Sequence, residues 1–266
     1  MSDFVYLYGF APADASPPST VSGIGGRPVE LVSIGSMAAV ISRVPAETYD
    51  PVSIEARLQD LAWVAEQGVA HESVVAWFVD HAQILPAPLF TMYSADAALQ
   101  QEAAARRSEI EAELQRLRNK REWDLKISYN AADIEKHAAE LSPRIAELDR
   151  EAAAAQPGKR YLIEKKRKDL LKTEARKAAQ SLAREVLDIA ARLAFETRNL
   201  PLPRTAEDLP VILYAALLVE RDREVELIGV LEQQSARVKS LGVGVAFSGP
   251  WAPYRFTGEH ERAVAG

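Results

Sequence analysis

The chain has 266 residues, 48% hydrophobic and 26% charged, with 32 Lys and Arg against 38 Asp and Glu for a net charge of −6. That mix supports a substantial core in one large domain or two small ones, and the acidic balance argues against a general nucleic-acid binder. The absence of cysteine excludes disulfides, thiolate catalysis and Cys-type zinc sites, and is compatible with a reducing cytoplasm.

The amino-terminal Met1-Ser2-Asp3-Phe4 lacks the basic region of a secretory signal. The most apolar run, residues 211–219, falls well short of the roughly 20 residues that span a bilayer. A soluble intracellular protein is expected. Val5-Tyr6-Leu7-Tyr8 reads as a first strand. Residues 11–28, rich in Pro, Ser and Gly, read as a loop. Gly23-Ile24-Gly25-Gly26 lies inside it, but a phosphate-binding loop needs a helix after it, and Pro28 and a strand over 29–34 follow instead. Residues 37–42 make the hairpin partner across Gly35-Ser36. A helix is expected over 51–67, with Ile54, Leu58, Leu61 and Ala65 on one face, interrupted by Gly68. A second helix over 69–81 offers Val74, Val75, Trp77 and Phe78 for burial. Prolines 86 and 88 make residues 84–90 extended. Ser94-Ala95-Asp96 is expected to cap a third helix running to about residue 120. Three strands plus helices indicate a small α+β domain over residues 1–120.

A second domain is expected over 121–256. Glu122 to Tyr129 alternates polar and apolar residues without a break, the pattern of a half-buried strand with Trp123, Leu125, Ile127 and Tyr129 inward. Residues 131–198 then form the stretch that organises the rest. Ile134, Ala138, Leu141, Ile145, Leu148 and Ala152 recur at helical spacing, with a restart at Ser142-Pro143. Gln156-Pro157-Gly158 reads as the turn. Leu171, Ala175, Ala178, Leu182, Val186, Ile189 and Leu193 continue on a second limb, taken to run from 159 to 198. Two such limbs joined by a short turn fold back as an antiparallel helical hairpin. A 40-residue limb would be roughly 60 Å long, so part of the hairpin is expected to project as an arm. A strand over 211–219, a helix over 221–241 and a strand over 243–247 follow. With one more short strand this half would be ferredoxin-like. The fold class is therefore α+β in two domains, the second ferredoxin-like with a long coiled-coil-like hairpin. Residues 257–266 read as a flexible tail.

Several blocks resemble a known family. Gly249-Pro250-Trp251-Ala252-Pro253-Tyr254-Arg255-Phe256 resembles the Gly-Pro-Trp-Pro-Pro-Tyr ending of the gas vesicle protein F/L family. Tyr6-Leu7-Tyr8-Gly9 resembles its opening strand, and Leu61-Ala62-Trp63 with His71-Glu72 and Val74-Val75 its helical His-Glu block. Glu122-Trp123-Asp124-Leu125-Lys126 resembles its middle strand, Tyr161-Leu162 the start of its second arm helix, and residues 213–223 its strand-to-helix block. The chain departs from the family at Pro88-Leu89-Phe90, where many members carry Arg-Phe-Gly, and at Ala252, where they carry proline. The resemblance implies a non-enzymatic accessory or structural protein of gas vesicle assembly, cytoplasmic and associated with the vesicle. It implies binding to the small, hydrophobic major shell protein and to other accessory proteins, with no cofactor, no nucleic acid and no lipid membrane as partner.

Two stretches are candidates for partner binding. Trp251, Pro253, Tyr254 and Arg255 combine aromatic anchors with stiff prolines, which suits a binding hot spot. Packing of the last strand's exit against the sheet is the preferred alternative. Lys165, Lys166 and Arg167 sit in a basic run on the second limb. A nucleic-acid-binding module is the alternative function there. Against it, Glu140, Glu147, Asp149 and Glu151 on the opposing limb favour pairing across the hairpin or a solvated face. His71-Glu72 and Asp80-His81 lack the i,i+4 spacing of a helical metal site, and His71 is expected to hydrogen-bond to a backbone carbonyl or to stabilise a helix end. His137 and His260 stand alone. No residue set has the spacing of a catalytic constellation.

Overall fold

The computed structural model describes residues 3–203 and 209–258. They form a mixed α/β fold with antiparallel pairing. The chain divides into two compact units, Met1–Glu122 with Pro250–Gly266, and Trp123–Gly249.

The first unit is built around strand β1 (Phe4–Pro12). Strands β2 (Glu30–Ile34) and β3 (Met37–Val44) form a hairpin across Gly35-Ser36, and β3 pairs antiparallel with β1. Two short strands also pair with β1: β4 (Leu85–Pro86), inside the stretch expected to be extended, and β5 (Met92–Tyr93), which the sequence does not mark. Successive side chains of a strand point to opposite faces, so Tyr6 and Tyr8 enter one core while Val5 and Leu7 enter another. A bulge between Leu7 and Gly9 reverses this parity. Phe10 then shares a core with Leu7, and Ala11 one with Tyr8. No side chain fits at Gly9, where a Cβ would lie 2.3 Å from the carbonyl oxygen of Leu85.

Helices cover both faces of this sheet. After the short helices α1 (Ala46–Tyr49) and α2 (Pro51–Arg57), helix α3 (Leu61–His81) packs Val74, Val75, Phe78 and Val79 against the tyrosine face. The opposite face receives Leu99 and Ala103 of α4 (Asp96–Ala105) and Ile110 and Leu114 of α5 (Arg107–Arg116). Three expectations are corrected here. The helix expected over 51–67 stops at Arg57 and restarts at Leu61, because the Asp60 carboxylate accepts from the backbone N–H groups of Ala62 and Trp63 and caps a new helix. That helix runs through Gly68 without a break; its buried stripe outweighs the roughly 1 kcal/mol that glycine costs relative to alanine. Leu58 and Leu61, placed on a buried face, are 44% and 78% exposed. The helix expected over 96–120 is two helices broken at Arg106, and Ser94 caps neither; Ala95 is the N-terminal boundary and makes no side-chain cap.

The division between units falls within β6 (Lys120–Tyr129) and within β9 (Val243–Trp251). Between these come α6 (Ala131–Lys136), α7 (Ala138–Leu141), α8 (Pro143–Ala154), α9 (Pro157–Ala191), β7 (Glu196–Asn199), β8 (Val211–Glu220) and α10 (Glu224–Lys239). The sheet order is β7-β8-β6-β9. Leu125 and Ile127 of β6 pack with Leu182 and Val186 of α9 and with Leu227 and Leu231 of α10. Ser142 caps α8 by accepting from the Ile145 N–H, with Pro143 in the first turn. The hairpin turn lies at Ala155-Gln156, so Pro157 and Gly158 open α9 rather than form the turn. Proline is preorganised for a first helical position, where its missing N–H has no partner to lose. Helix α9 ends at Ala191, not 198. Residues 196–199 instead form β7, whose Glu196 and Thr197 register with Leu218 and Leu217 of β8.

Residues 250–258 fall with the first unit, whereas 250–256 are expected in the second domain and 257–258 in the tail. The cause is burial: Ala252, Phe256 and Thr257 are at most 4% exposed. Thr257, expected in a flexible tail, donates its hydroxyl to the Tyr254 carbonyl. The remainder of that expected tail, 259–266, including His260, lies outside the described residues.

Candidate functional site

In the first unit, residues 250–258 are held by a buried polar chain that starts at Tyr6. The Tyr6 hydroxyl lies 2.7 Å from His71 Nδ1, and His71 Nε2 lies 3.0 Å from the Tyr254 hydroxyl. Tyr254 in turn donates to Glu72 Oε2 at 3.2 Å, and the Phe90 N–H donates to the Tyr6 oxygen. One set of directions satisfies every group. Tyr6 O–H donates to Nδ1, Nε2–H donates to the Tyr254 oxygen, and Tyr254 O–H donates to the carboxylate, which requires a neutral imidazole protonated on Nε2. Burial favours that state, driving the His71 pKa down to about 4 against a smaller opposing hydrogen bond at the Ala87 backbone. Burial also raises Tyr254, reinforced by the Glu72 charge, and raises Glu72 itself despite the Tyr254 hydrogen bond.

Arg255 and Phe256 are anchored as firmly. Glu122 is 2% exposed and accepts from both the backbone N–H and the guanidinium of Arg255. The guanidinium of Arg116 donates to the Phe256 carbonyl. Of the four carboxy-terminal candidates, Pro253 is buried, Tyr254 and Arg255 are tied into the fold, and Trp251 is 42% exposed. The alternative of packing therefore describes Pro253, Tyr254 and Arg255, while Trp251 keeps a face to solvent.

On the hairpin of the second unit, Arg167 pairs across the two limbs with Asp149. Ser142 donates to Glu174 in the same way. Lys165 and Lys166 are exposed, beside Tyr161 and Leu162 at 67% and 65% exposure. The anticipated cross-limb pairing is thus present at Arg167, and the neighbouring lysines face solvent. Glu147 is engaged within its own helix by Arg144, and Glu140 by His137.

His81 stacks on Trp77 at 4.6 Å and meets the Trp77 carbonyl. Among the described residues no group of three His, Asp or Glu side chains is placed to hold a metal. A cleft in the first unit has an apolar floor of Leu7, Phe10, Leu85 and Ile110. The carboxylates at its mouth are engaged: Glu102 and Glu109 with Arg106, and Glu113 with Arg116. Gly23-Ile24-Gly25-Gly26 serves packing. The Ile24 N–H donates to the Tyr8 hydroxyl, and a Cβ at Gly23 would collide with that hydroxyl.

Residues 4–258 match the family described as gas vesicle synthesis protein GvpL/GvpF. The chain belongs to this family. Its relatives include gas vesicle protein L of Streptomyces sp. (strain CB03234), 29% identical over 97% of this chain and 94% of the relative. Gas vesicle protein L1 of Halobacterium salinarum is 26% identical over 94% of this chain and 89% of the relative. The fold is similar to the crystal structure of gas vesicle protein GvpF from Anabaena sp. PCC7120, with a TM-score of 0.66 and 19% identity over 96% of both chains. GvpF from Microcystis aeruginosa gives 0.67 and 18% identity over 95% and 98%. The tyrosine–histidine chain of this family member was only partly visible beforehand. His71 carries a structural signal in its helix, but its link to Tyr254 spans 183 positions and leaves no local pattern.

Proposed function

We propose that this chain is a non-enzymatic assembly factor that binds the hydrophobic major shell protein, together with other accessory proteins, early in gas vesicle formation. The observation that carries the reading is the family match across residues 4–258. The work takes place in the cytoplasm, at the growing vesicle. A shell subunit awaiting polymerisation exposes apolar surface, and a factor that covers this surface keeps the subunit from aggregating. Trp251 is the residue we assign to that contact, because it is a large aromatic held partly exposed next to the buried Ala252. Pro253, Tyr254 and Arg255 position it. Lys165, Lys166 and Arg167 belong to a separate surface on the hairpin. The nucleic-acid alternative is not carried forward; the cross-limb engagement of Arg167 and the family match both favour a protein partner.

We also read Trp123–Gly249 as a ferredoxin-like domain with a lengthened first helical connection, and the two units as two domains. The strand order β7-β8-β6-β9, with helices after the first and third strands, supports this.

The test is co-expression of the tagged full chain with the major shell protein. Soluble shell protein should be recovered with the chain, and Trp251→Ala should lower that recovery several-fold. A folded full chain that retains no shell protein would rule out direct binding.

A further inference from the structure

Two exposed surfaces of this molecule are matched in shape class and opposite in charge. The first lies on α2 and α3. Residues 46–81 carry seven carboxylates against the single Arg57, a net −6. Their solvent side also bears Val52, Leu61 and Val69 at 75%, 78% and 68% exposure. Leu61, Ala65 and Val69 follow one another at i,i+4 along α3, with Glu66 beside them, opposite the buried stripe of His71, Val74 and Phe78. Asp50 and Asp60 cap helices, Asp80 pairs with Arg121, and Glu72 belongs to the Tyr254 chain and not to this face. Glu55 and Glu66 remain exposed.

The second surface is the distal part of the hairpin. Residues 143–177 carry eleven Lys and Arg against six Asp and Glu, a net +5 in a chain whose total is −6. All the other residues together therefore carry −11. One sector of α9 presents Tyr161 and Leu162 and, one turn on, Lys165 and Lys166. Each surface is thus a helix face with large apolar side chains among charges in which one sign predominates, Arg57 being the exception on the first and Glu164 and Asp169 on the second. Apolar anchors inside complementary charge give both attraction and register.

We propose that the basic hairpin face of one copy docks on the acidic α2–α3 face of a second copy. Both faces are exposed in the single chain, so a second copy can reach them. Different patches meet in this contact, so it is head-to-tail, and a pair keeps one free face of each kind, the acidic face of one copy and the basic face of the other. The association is reversible, because two helix faces bury an area at the small end of specific interfaces. It is also salt-sensitive, because the charges are exposed. The proposal is independent of shell-protein binding, and either can fail alone.

The test is sedimentation velocity of the full chain over a concentration series, at low ionic strength and at about 0.5 M salt. Wild type should self-associate at low salt and dissociate at high salt. Lys165→Glu with Lys166→Glu cuts the charge of residues 143–177 from +5 to +1 and places two carboxylates beside Tyr161 and Leu162. Glu55→Lys with Glu66→Lys cuts the charge of residues 46–81 from −6 to −2 and places two ammonium groups among Val52, Leu61 and Val69. All four side chains are exposed, and circular dichroism melts should match wild type. Each double variant should lose self-association by about ten-fold or more, and an equimolar mixture of the two should form a one-to-one pair, because the unaltered acidic face of one variant then meets the unaltered basic hairpin of the other. Wild type that stays monomeric at low salt overturns the proposal. So does association that both variants retain, or a mixture no better than its components. Retention of nucleic acid through Lys165 and Lys166 by a monomeric chain would also overturn it.

Discussion

At the scale of single residues, His71 makes stability depend on pH. Its folded pKa of about 4 lies below the ordinary value of about 6.5. Between those values the unfolded chain binds a proton that the folded chain refuses. Stability from this group is therefore full above pH 6.5, falls as the pH drops toward 4, and levels below that. Glu72 acts in the opposite direction, since its raised pKa lets the folded state hold a proton more readily. Subtracting the unfolding curve of His71→Gln isolates the histidine, and the wild-type advantage should shrink by about 3 kcal/mol between pH 7 and pH 4. A flat difference would mean that His71 is not held neutral. Arg255 gives a second measurement. Arg255→Ala leaves the buried Glu122 carboxylate without its guanidinium and should cost about 3 kcal/mol in denaturant unfolding at neutral pH. That His71 hydrogen-bonds inside the fold was legible in its sequence context, but both ring nitrogens meet tyrosine hydroxyls, and the histidine sits mid-helix instead of at a helix end. Its partners were not legible, because Tyr6 and Tyr254 come from the two ends of the described chain.

At the scale of elements, periodicity was legible wherever one face is buried throughout. Strand β6 buries Trp123, Leu125 and Ile127, and the hairpin limbs bury Ile145, Leu148, Ala175 and Leu182, all at positions the spacing marks. Boundaries were hidden where local rules compete. Gly68 looks like a helix break, yet the buried stripe of α3 carries the helix across it. A Cβ at Gly68 would meet nothing within 4 Å, so Gly68→Ala should raise stability by about 0.5–1 kcal/mol; a loss would contradict an ordinary helical backbone there. Strand β7 escaped notice because Glu196-Thr197-Arg198-Asn199 carries no apolar alternation and is defined by its pairing with β8. On the hairpin, the Arg167–Asp149 pair is partly exposed. Asp149→Ala should change stability by less than about 1 kcal/mol, since apolar contacts such as those of Ile145 and Leu148 hold the limbs together.

At the scale of the whole molecule, the chain presents apolar side chains to solvent in separate places: Leu61 and Val69 on α3, Tyr161 and Leu162 on α9, and Trp251 at the end of β9. Exposed anchors of this kind suit protein–protein contact more than small-molecule chemistry. The membership in the gas vesicle synthesis family supplies the context that these faces serve. The measurement that tests this account most directly is deletion of the coding sequence from its native gas vesicle cluster, followed by complementation and counting of vesicles by electron microscopy. Deletion should abolish or sharply reduce vesicles, and the wild-type chain should restore them. Normal vesicle number and shape without the chain would contradict a role in assembly.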